Sequence, residues 1–342
     1  MGGERTDNAA WFDFYGLTVR VESEREGIIE DVRRDFSYFG TSPREAGLSL
    51  RVLGECARPG ELPPLGAALQ TPRNTVYRTG DVSYLDYFGR ALTVCTHSRR
   101  HCDVYCDDRD LAHEIAFLTV LSEVGQRLDR LGLHRLHALG VEVAGRAVLV
   151  LLPTAGGKTT LALELLRTEG VRLISEDSPL LSRSGWVCPF PLRIGVRAGA
   201  EPADVPERYV RTVRRMEHGP KTLIDIEHFA DRVAAPCPPG AVLLGRRRLS
   251  GPSSIVPVGR RRAIGPFLRN CVVGLGLYQG VEFVFQRSPW EIAGKAGVAL
   301  SRLWNSLRVI GCSRVYDFAL GPDPRQSAAV LAEFLRGPAL ET

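Results

Sequence analysis

The sequence predicts an α/β protein in two parts, a smaller β-rich N-terminal domain over 1–108 and a larger domain over 109–342 in which strands and helices alternate. Three observations predict it. Short strand-like runs broken by Gly, Pro and Arg fill the first hundred residues. Apolar residues Leu111, Ile115, Leu118, Leu121, Val124 and Leu128 then recur at helical spacing. Beyond them, an apolar run at Val148–Leu152 passes through a turn of small residues straight into a leucine-rich helical pattern. At 342 residues and 44% hydrophobic content, the chain can bury a core in each part without a staple.

In the N-terminal part, strands are expected at Tyr15 to Val21, Leu48 to Leu53, Thr75 to Tyr87, Ala91 to Thr96 and Asp103 to Tyr105, with a short helix over Asp31 to Phe39. The stretch from Ala57 to Arg73 is too interrupted to assign. The helix Asp110 to Leu131 leads into the second part. There, Gly140 to Val143 and Ala147 to Leu152 read as paired strands turning at Gly145-Arg146, followed by a helix over Thr159 to Thr168 and a buried strand over Val171 to Ile174. Gly240 to Leu244 reads as a core strand. Arg246 to Arg248 and Arg260 to Arg262 flank a Gly/Pro/Ser-rich turn, and helices Trp290 to Leu307 and Pro324 to Leu335 enclose a strand at Val315 to Leu320.

Residues 148–160 read Val-Leu-Val-Leu-Leu-Pro-Thr-Ala-Gly-Gly-Lys-Thr-Thr. Backbone N–H groups in such a turn, and the helix N-terminus after it, favour bound anions. The expected cradle is Thr154, Ala155, Gly156, Gly157, Lys158, Thr159 and Thr160, with Lys158 reaching the β/γ-phosphates of ATP and the Thr159 hydroxyl on Mg²⁺. The first Gly of the general pattern falls on Leu152, and the same residues also suit a plain strand-to-helix turn. Less than twenty residues on, the strand Val171 to Ile174 delivers Ser175, Glu176 and Asp177 at its C-terminal end, where α/β sheets place ligands. Two adjacent carboxylates near a triphosphate can divide the work, one on Mg²⁺ and one accepting a proton from an attacking hydroxyl. A solvated strand end or a helix cap is the alternative.

Composition narrows the partners. The net charge of +5, from 44 Lys+Arg against 39 Asp+Glu, is a mild basic excess that suits anionic ligands and does not argue for nucleic acid. With no apolar run of membrane length, no signal peptide and eight scattered cysteines, the reading is a cytoplasmic protein with reduced thiols and no membrane partner. Cys95, His97, His101, Cys102 and Cys106 lie close in sequence, yet on a hairpin strand Cys102 and Cys106 would stand about 13 Å apart, too far to share one tetrahedral zinc. The charged stretch Asp204 to Lys221, with Arg208, Arg211, Arg214 and Arg215, reads as solvated surface or as a mobile lid whose Arg or Lys closes on phosphate.

The stretch His137 to Leu181 resembles the catalytic core of HPr kinase/phosphorylase and its relatives, kinases related in fold to phosphoenolpyruvate carboxykinase. The resemblance rests on His137 in Leu136-His137-Ala138, the Leu-Leu-Pro-Thr-Ala-Gly-Gly-Lys-Thr-Thr run, Leu161 to Leu165, and Arg172-Leu173-Ile174-Ser175-Glu176-Asp177, where the family usually has two aspartates. It implies an HPr kinase/PEP carboxykinase-like P-loop core. It further implies that Lys158 binds the β/γ-phosphates, Thr159 the metal, Glu176 the acceptor's proton and Asp177 the metal or the substrate, while His137 helps shape the site. Thr160 stands where the HPr-modifying enzymes carry a Glu, and their Gly-rich phosphorylase signature is absent, which points away from HPr as acceptor. An N-terminal domain beginning Tyr15-Gly16-Leu17-Thr18-Val19 ahead of this core looks most like the HPr kinase-related proteins of peptide-modification cassettes, including those acting on a serine of a lasso precursor peptide.

The expectation is therefore a Mg²⁺·ATP-dependent kinase for a Ser/Thr hydroxyl of a small protein or peptide, for which a homo-oligomer is compatible with the family. The alternatives are a nucleotide-binding regulatory or assembly protein without productive transfer, and a small-molecule kinase.

Overall fold

The computed structural model describes residues 8–153, 156–196, 204–216, 219–273 and 289–337. It is a mixed α/β structure with several sheets. The chain forms two compact units: the described part of the first is 8–127 with 204–216 and 219–228, and that of the second is 128–153, 156–196, 229–273 and 289–337.

The first unit is built on an eight-stranded sheet of β1 (Ala9–Phe14), β2 (Leu17–Ser23), β3 (Leu48–Leu53), β4 (Ala67–Gln70), β5 (Thr75–Thr79), β6 (Val82–Asp86), β7 (Leu92–Thr96) and β8 (His101–Tyr105), in the order β1-β2-β3-β8-β7-β6-β5-β4. Helix α1 (Ile28–Asp35) and most of α2 (Arg109–Leu131) belong to it. Phe12 and Phe14, two apart and so on one face of β1, meet Phe36, which stacks on Phe117 at 5.2 Å between ring centroids. Two expected strands are corrected here. Tyr15 and Gly16 are a turn, both with positive φ (55° and 86°), between β1 and a strand that starts at Leu17. The run Thr75 to Tyr87 breaks into β5 and β6 around Gly80 (φ 53°), a conformation glycine adopts without steric cost.

The cysteine-rich hairpin is β7 and β8, whose register sets Cys95 opposite Cys102, and the two form a disulfide. The expectation of reduced thiols fails for this pair because alternate inward-facing positions on adjacent strands bring the sulfurs together. The neighbouring residues disperse: His97 bonds Ser83, His101 lies between Ser49 and Asp103, and burial pushes the Cys106 thiol up to about 11.

The charged stretch 204–221 contributes the hairpin of β16 (Val210–Arg215) and β17 (Gly219–Ile224) to this unit. Arg211 is 9% exposed and ion-paired with Asp35 of α1 and with Asp225 (3.1 Å), while His113 of α2 holds the other oxygen of Asp35 at 2.7 Å. Arg34 also pairs with Asp225. For Arg211, then, the surface and lid readings both give way to a buried ion-pair anchor.

The second unit carries a six-stranded sheet. Its strands are β10 (Leu139–Val143), β11 (Arg146–Leu151), β12 (Val171–Ser175), β18 (Pro239–Arg247), β19 (Ser254–Val258) and β20 (Arg314–Leu320), in the order β12-β10-β11-β18-β20-β19. β10 is antiparallel to both β11 and β12, and β18 is parallel to β11 and to β20, so β11, β12, β18 and β20 end on one edge. Ala147–Leu151 are all buried, which explains their uninterrupted apolar run. The tight turn before β11 uses Ala144 and Gly145 (φ 50° and 77°) rather than Gly145-Arg146. Short strands β9 (His134–Arg135), β13 (Leu180–Leu181) and β14 (Val187–Cys188) form a small sheet, and β15 (Ile194–Val196) follows them.

Helix α3 (Lys158–Leu165) follows β11 and packs on β10 and on α6 (Pro324–Arg336). The core on one sheet face joins Leu149, Leu151, Val242 and Val315 to Phe267 of α4 (Ile264–Phe267) and to Val309 and Ile310 of α5 (Pro289–Cys312). The expected strand end at Leu244 and the expected Gly/Pro/Ser-rich turn are both corrected. β18 runs on through Arg246 and Arg247, and the segment after it forms edge strand β19, where Pro257 is tolerated.

Candidate functional site

The residues singled out by the sequence converge at the shared C-terminal edge of β11 and β12. After β11, the chain turns at Gly156 and Gly157 and enters α3 at Lys158. A Cβ on Gly156 would lie 2.7 Å from the Pro153 carbonyl oxygen, and Gly157 takes φ 98° as the N-cap, so glycine suits both positions. Thr154 and Ala155 lie outside the described residues. Helix α3 buries Lys158, Leu161, Ala162 and Leu165, one stripe at helical spacing, while Thr159 is half-buried and Thr160 exposed.

Lys158 is only 6% exposed, and a buried ammonium needs partners. It has three: His137 Nε2 at 2.8 Å, the Leu152 carbonyl at 3.3 Å and Asp177 Oδ1 at 3.5 Å. An ammonium can only donate, so His137 Nε2 accepts. The other ring nitrogen, Nδ1, lies 3.2 Å from Asp177 Oδ1. The result is a Lys158–His137–Asp177 cluster. Burial pushes the Asp177 carboxyl upward, but the contacts from His137 and Lys158 outweigh it and hold the group below the usual carboxylate range. Its side chain remains 45% exposed, open to a ligand.

Backbone bonds fix this cluster. The Ala138 N–H donates to the Asp177 carbonyl, the His137 N–H to the Asn270 carbonyl, and the Ser175 hydroxyl spans to the Phe190 carbonyl while accepting from the Ser178 N–H.

Glu176 has a different partner. The Thr159 hydroxyl donates to its Oε1 at 2.5 Å. The two adjacent carboxylates are thus separated, Glu176 facing Thr159 and Asp177 facing Lys158 and His137. Thr159 and Glu176 offer neighbouring hard oxygens, which fits Mg²⁺. Among the described residues no group of three or more His, Cys, Asp or Glu is placed to hold a metal alone. Magnesium would draw its other ligands from water and phosphate, as it commonly does.

Two features escaped the sequence reading. Leu152, at the position of the motif's first glycine, is 2% exposed and packs over Gly245 of β18, where a Cβ would stand 2.4 Å from Leu152 Cδ2. Arg247, three residues beyond the β11–β18 register pair Leu151–Leu244, reaches over the loop, and its Nε donates to the Gly156 carbonyl at 3.1 Å. The Arg-Arg-Arg run at 246–248 carried no signal as to which arginine faces the loop. Strand alternation decides it.

Among the described residues, no helix is long and apolar enough to cross a membrane. Compared with known proteins, the chain matches no family model, and no curated protein matches it.

Proposed function

We propose that the second unit is a Mg²⁺·ATP-dependent phosphotransferase domain, and that the acceptor is a Ser/Thr hydroxyl of a small protein or peptide. The observation that carries the reading is the nine-tenths-buried Lys158 at the N-terminus of α3, poised between a strand-end loop and the Glu176-Asp177 pair. A buried cation on a helix N-terminus, where the backbone also favours negative charge, suits a polyanion. The acceptor class rests on the resemblance of His137 to Leu181 to the HPr kinase-related proteins.

The division of the two carboxylates supports roles opposite to those first expected. Thr159 and Glu176 would hold Mg²⁺, which when bound offsets phosphate charge. Asp177, ionised and half exposed, would accept the proton of the attacking hydroxyl, with His137 orienting it through Nδ1. Lys158 would exchange its Asp177 contact for phosphate, since both are anionic and the ammonium turns on a flexible stem. Little covalent work remains for the protein beyond positioning and charge.

The test is incubation of the purified protein with Mg²⁺ and γ-labelled ATP, with a panel of Ser- and Thr-containing peptides, beside Lys158→Ala. Label on a peptide that disappears in the variant supports the reading. Equal transfer by Lys158→Ala would remove it.

A further inference from the structure

The sheet order places the site's charges on two flanks of β11. On one side, β10 and β12 lead to His137, Glu176 and Asp177. On the other, β18 ends in Arg247. Its neighbour Arg246 faces Asp317 at 3.5 Å, whereas Arg247 makes no ion pair among the described residues. Its guanidinium lies against the loop: Nη2 is 2.9 Å from where a Cβ on Gly157 would be, and Nε is bonded to Gly156. An exposed guanidinium uses five N–H donors in a planar fork, and one bond to a carbonyl leaves most of that fork free. Three positive elements therefore surround the loop, namely Lys158 from within, the α3 N-terminus and Arg247 from the β18 flank, and the two carboxylates lie only on the opposite flank.

We propose that Arg247 is a phosphate-binding residue of this site. Nε anchors the side chain to the loop through Gly156, and the terminal nitrogens bind phosphate oxygens of the nucleotide from the side away from Glu176 and Asp177. The ligand is thereby flanked by the metal-binding oxygens on one side and a guanidinium on the other. Charge from two sides favours a chain of phosphates over a single phosphate. This rests on the nucleotide reading above and adds to it a residue outside the loop motif.

The experiment measures binding of Mg²⁺·ATP and of inorganic tripolyphosphate to the full chain by calorimetry, with Arg247→Met, Arg247→Lys and Lys158→Ala, and the melting temperature of each ligand-free protein. Charge-assisted bonds to phosphate predict that Arg247→Met binds both ligands roughly 10- to 100-fold more weakly, that Arg247→Lys recovers part of the loss, and that the ligand-free melting temperature is unchanged. Parent-like binding by Arg247→Met overturns the proposal. So does a weakened Arg247→Met whose ligand-free melting temperature falls with it, which would make Arg247 a support for the loop only. If the parent chain itself binds neither ATP nor tripolyphosphate, the nucleotide reading fails first, and that outcome is recognisable without any Arg247 variant.

Discussion

Leu152 occupies the space that Gly245 leaves open, with Leu152 Cδ2 only 2.4 Å from the position of a Cβ on Gly245. The strand end before the Gly156-Gly157 turn is therefore set by packing across the sheet. Leu152 fills the place of a motif glycine because its side chain turns inward onto β18, while its carbonyl still accepts from Lys158.

This contact predicts an overpacking cost. Gly245→Ala should lower unfolding free energy by about 1–3 kcal/mol, because the buried Leu152 has nowhere to go. In chemical denaturation, pairing it with Leu152→Ala should cost less than the sum of the two single changes. Strict additivity would show that the two residues do not compete for this space.

Arg211 predicts a stability effect in the first unit. Burial works against its guanidinium, but Asp35 and Asp225 outweigh that and hold its pKa above the ordinary arginine value. Arg211→Ala leaves two carboxylates buried at 0% and 2% side-chain exposure without their shared cation, at a cost of about 3–5 kcal/mol. Urea unfolding should show it, and a change within 0.5 kcal/mol, roughly the range of ordinary surface substitutions, would return Arg211 to the surface reading.

Acid stability should depend on Asp129. Burial pushes its carboxyl up, yet bonds from His134 (2.9 Å) and Arg302 (2.6 Å), with their charges, bring it below its ordinary value. A carboxyl depressed in the folded state stabilises the fold above its unfolded pKa of about 3.9, and that contribution is lost as pH falls through the folded value. Arg302→Met should raise the pH at which acid unfolding begins. An unmoved acid transition would count against the ion pair.

Cys95 and Cys102 predict a thiol count. The denatured but unreduced protein should release six titratable thiols from its eight cysteines, and all eight after reduction. A count of eight before reduction would leave the hairpin dithiol.

Much of the second unit was legible because its signals are contiguous. The run from Val148 to Thr160 carries strand, turn and helix in one stretch, and Val171 to Asp177 carries a strand and its acidic end, so the two ends of the site could be read without the fold. What joins them could not be read. That Thr159 finds Glu176 while Lys158 and His137 find Asp177 depends on where side chains point at the sheet edge, and neighbouring carboxylates look alike in sequence. Arg247 depends on the β11–β18 register, set by residues more than ninety positions apart. In the first unit, β1 was missed because its alternation is blurred by the two alanines at its start, and the Cys95–Cys102 bond follows from hairpin register rather than from spacing. Arg211 looked like surface because its partners Asp35 and Asp225 lie outside its own charged stretch.

The most direct test of the proposed phosphate site uses the scarcity of lysine. The chain has three, Lys158, Lys221 and Lys295. An acyl-phosphate derivative of ATP acylates lysines that lie at its phosphates, and mass spectrometry locates the product. Acylation of Lys158 that excess Mg²⁺·ATP suppresses is the predicted result. Acylation that spares Lys158, or that ATP does not compete away, would contradict a nucleotide phosphate site at this loop.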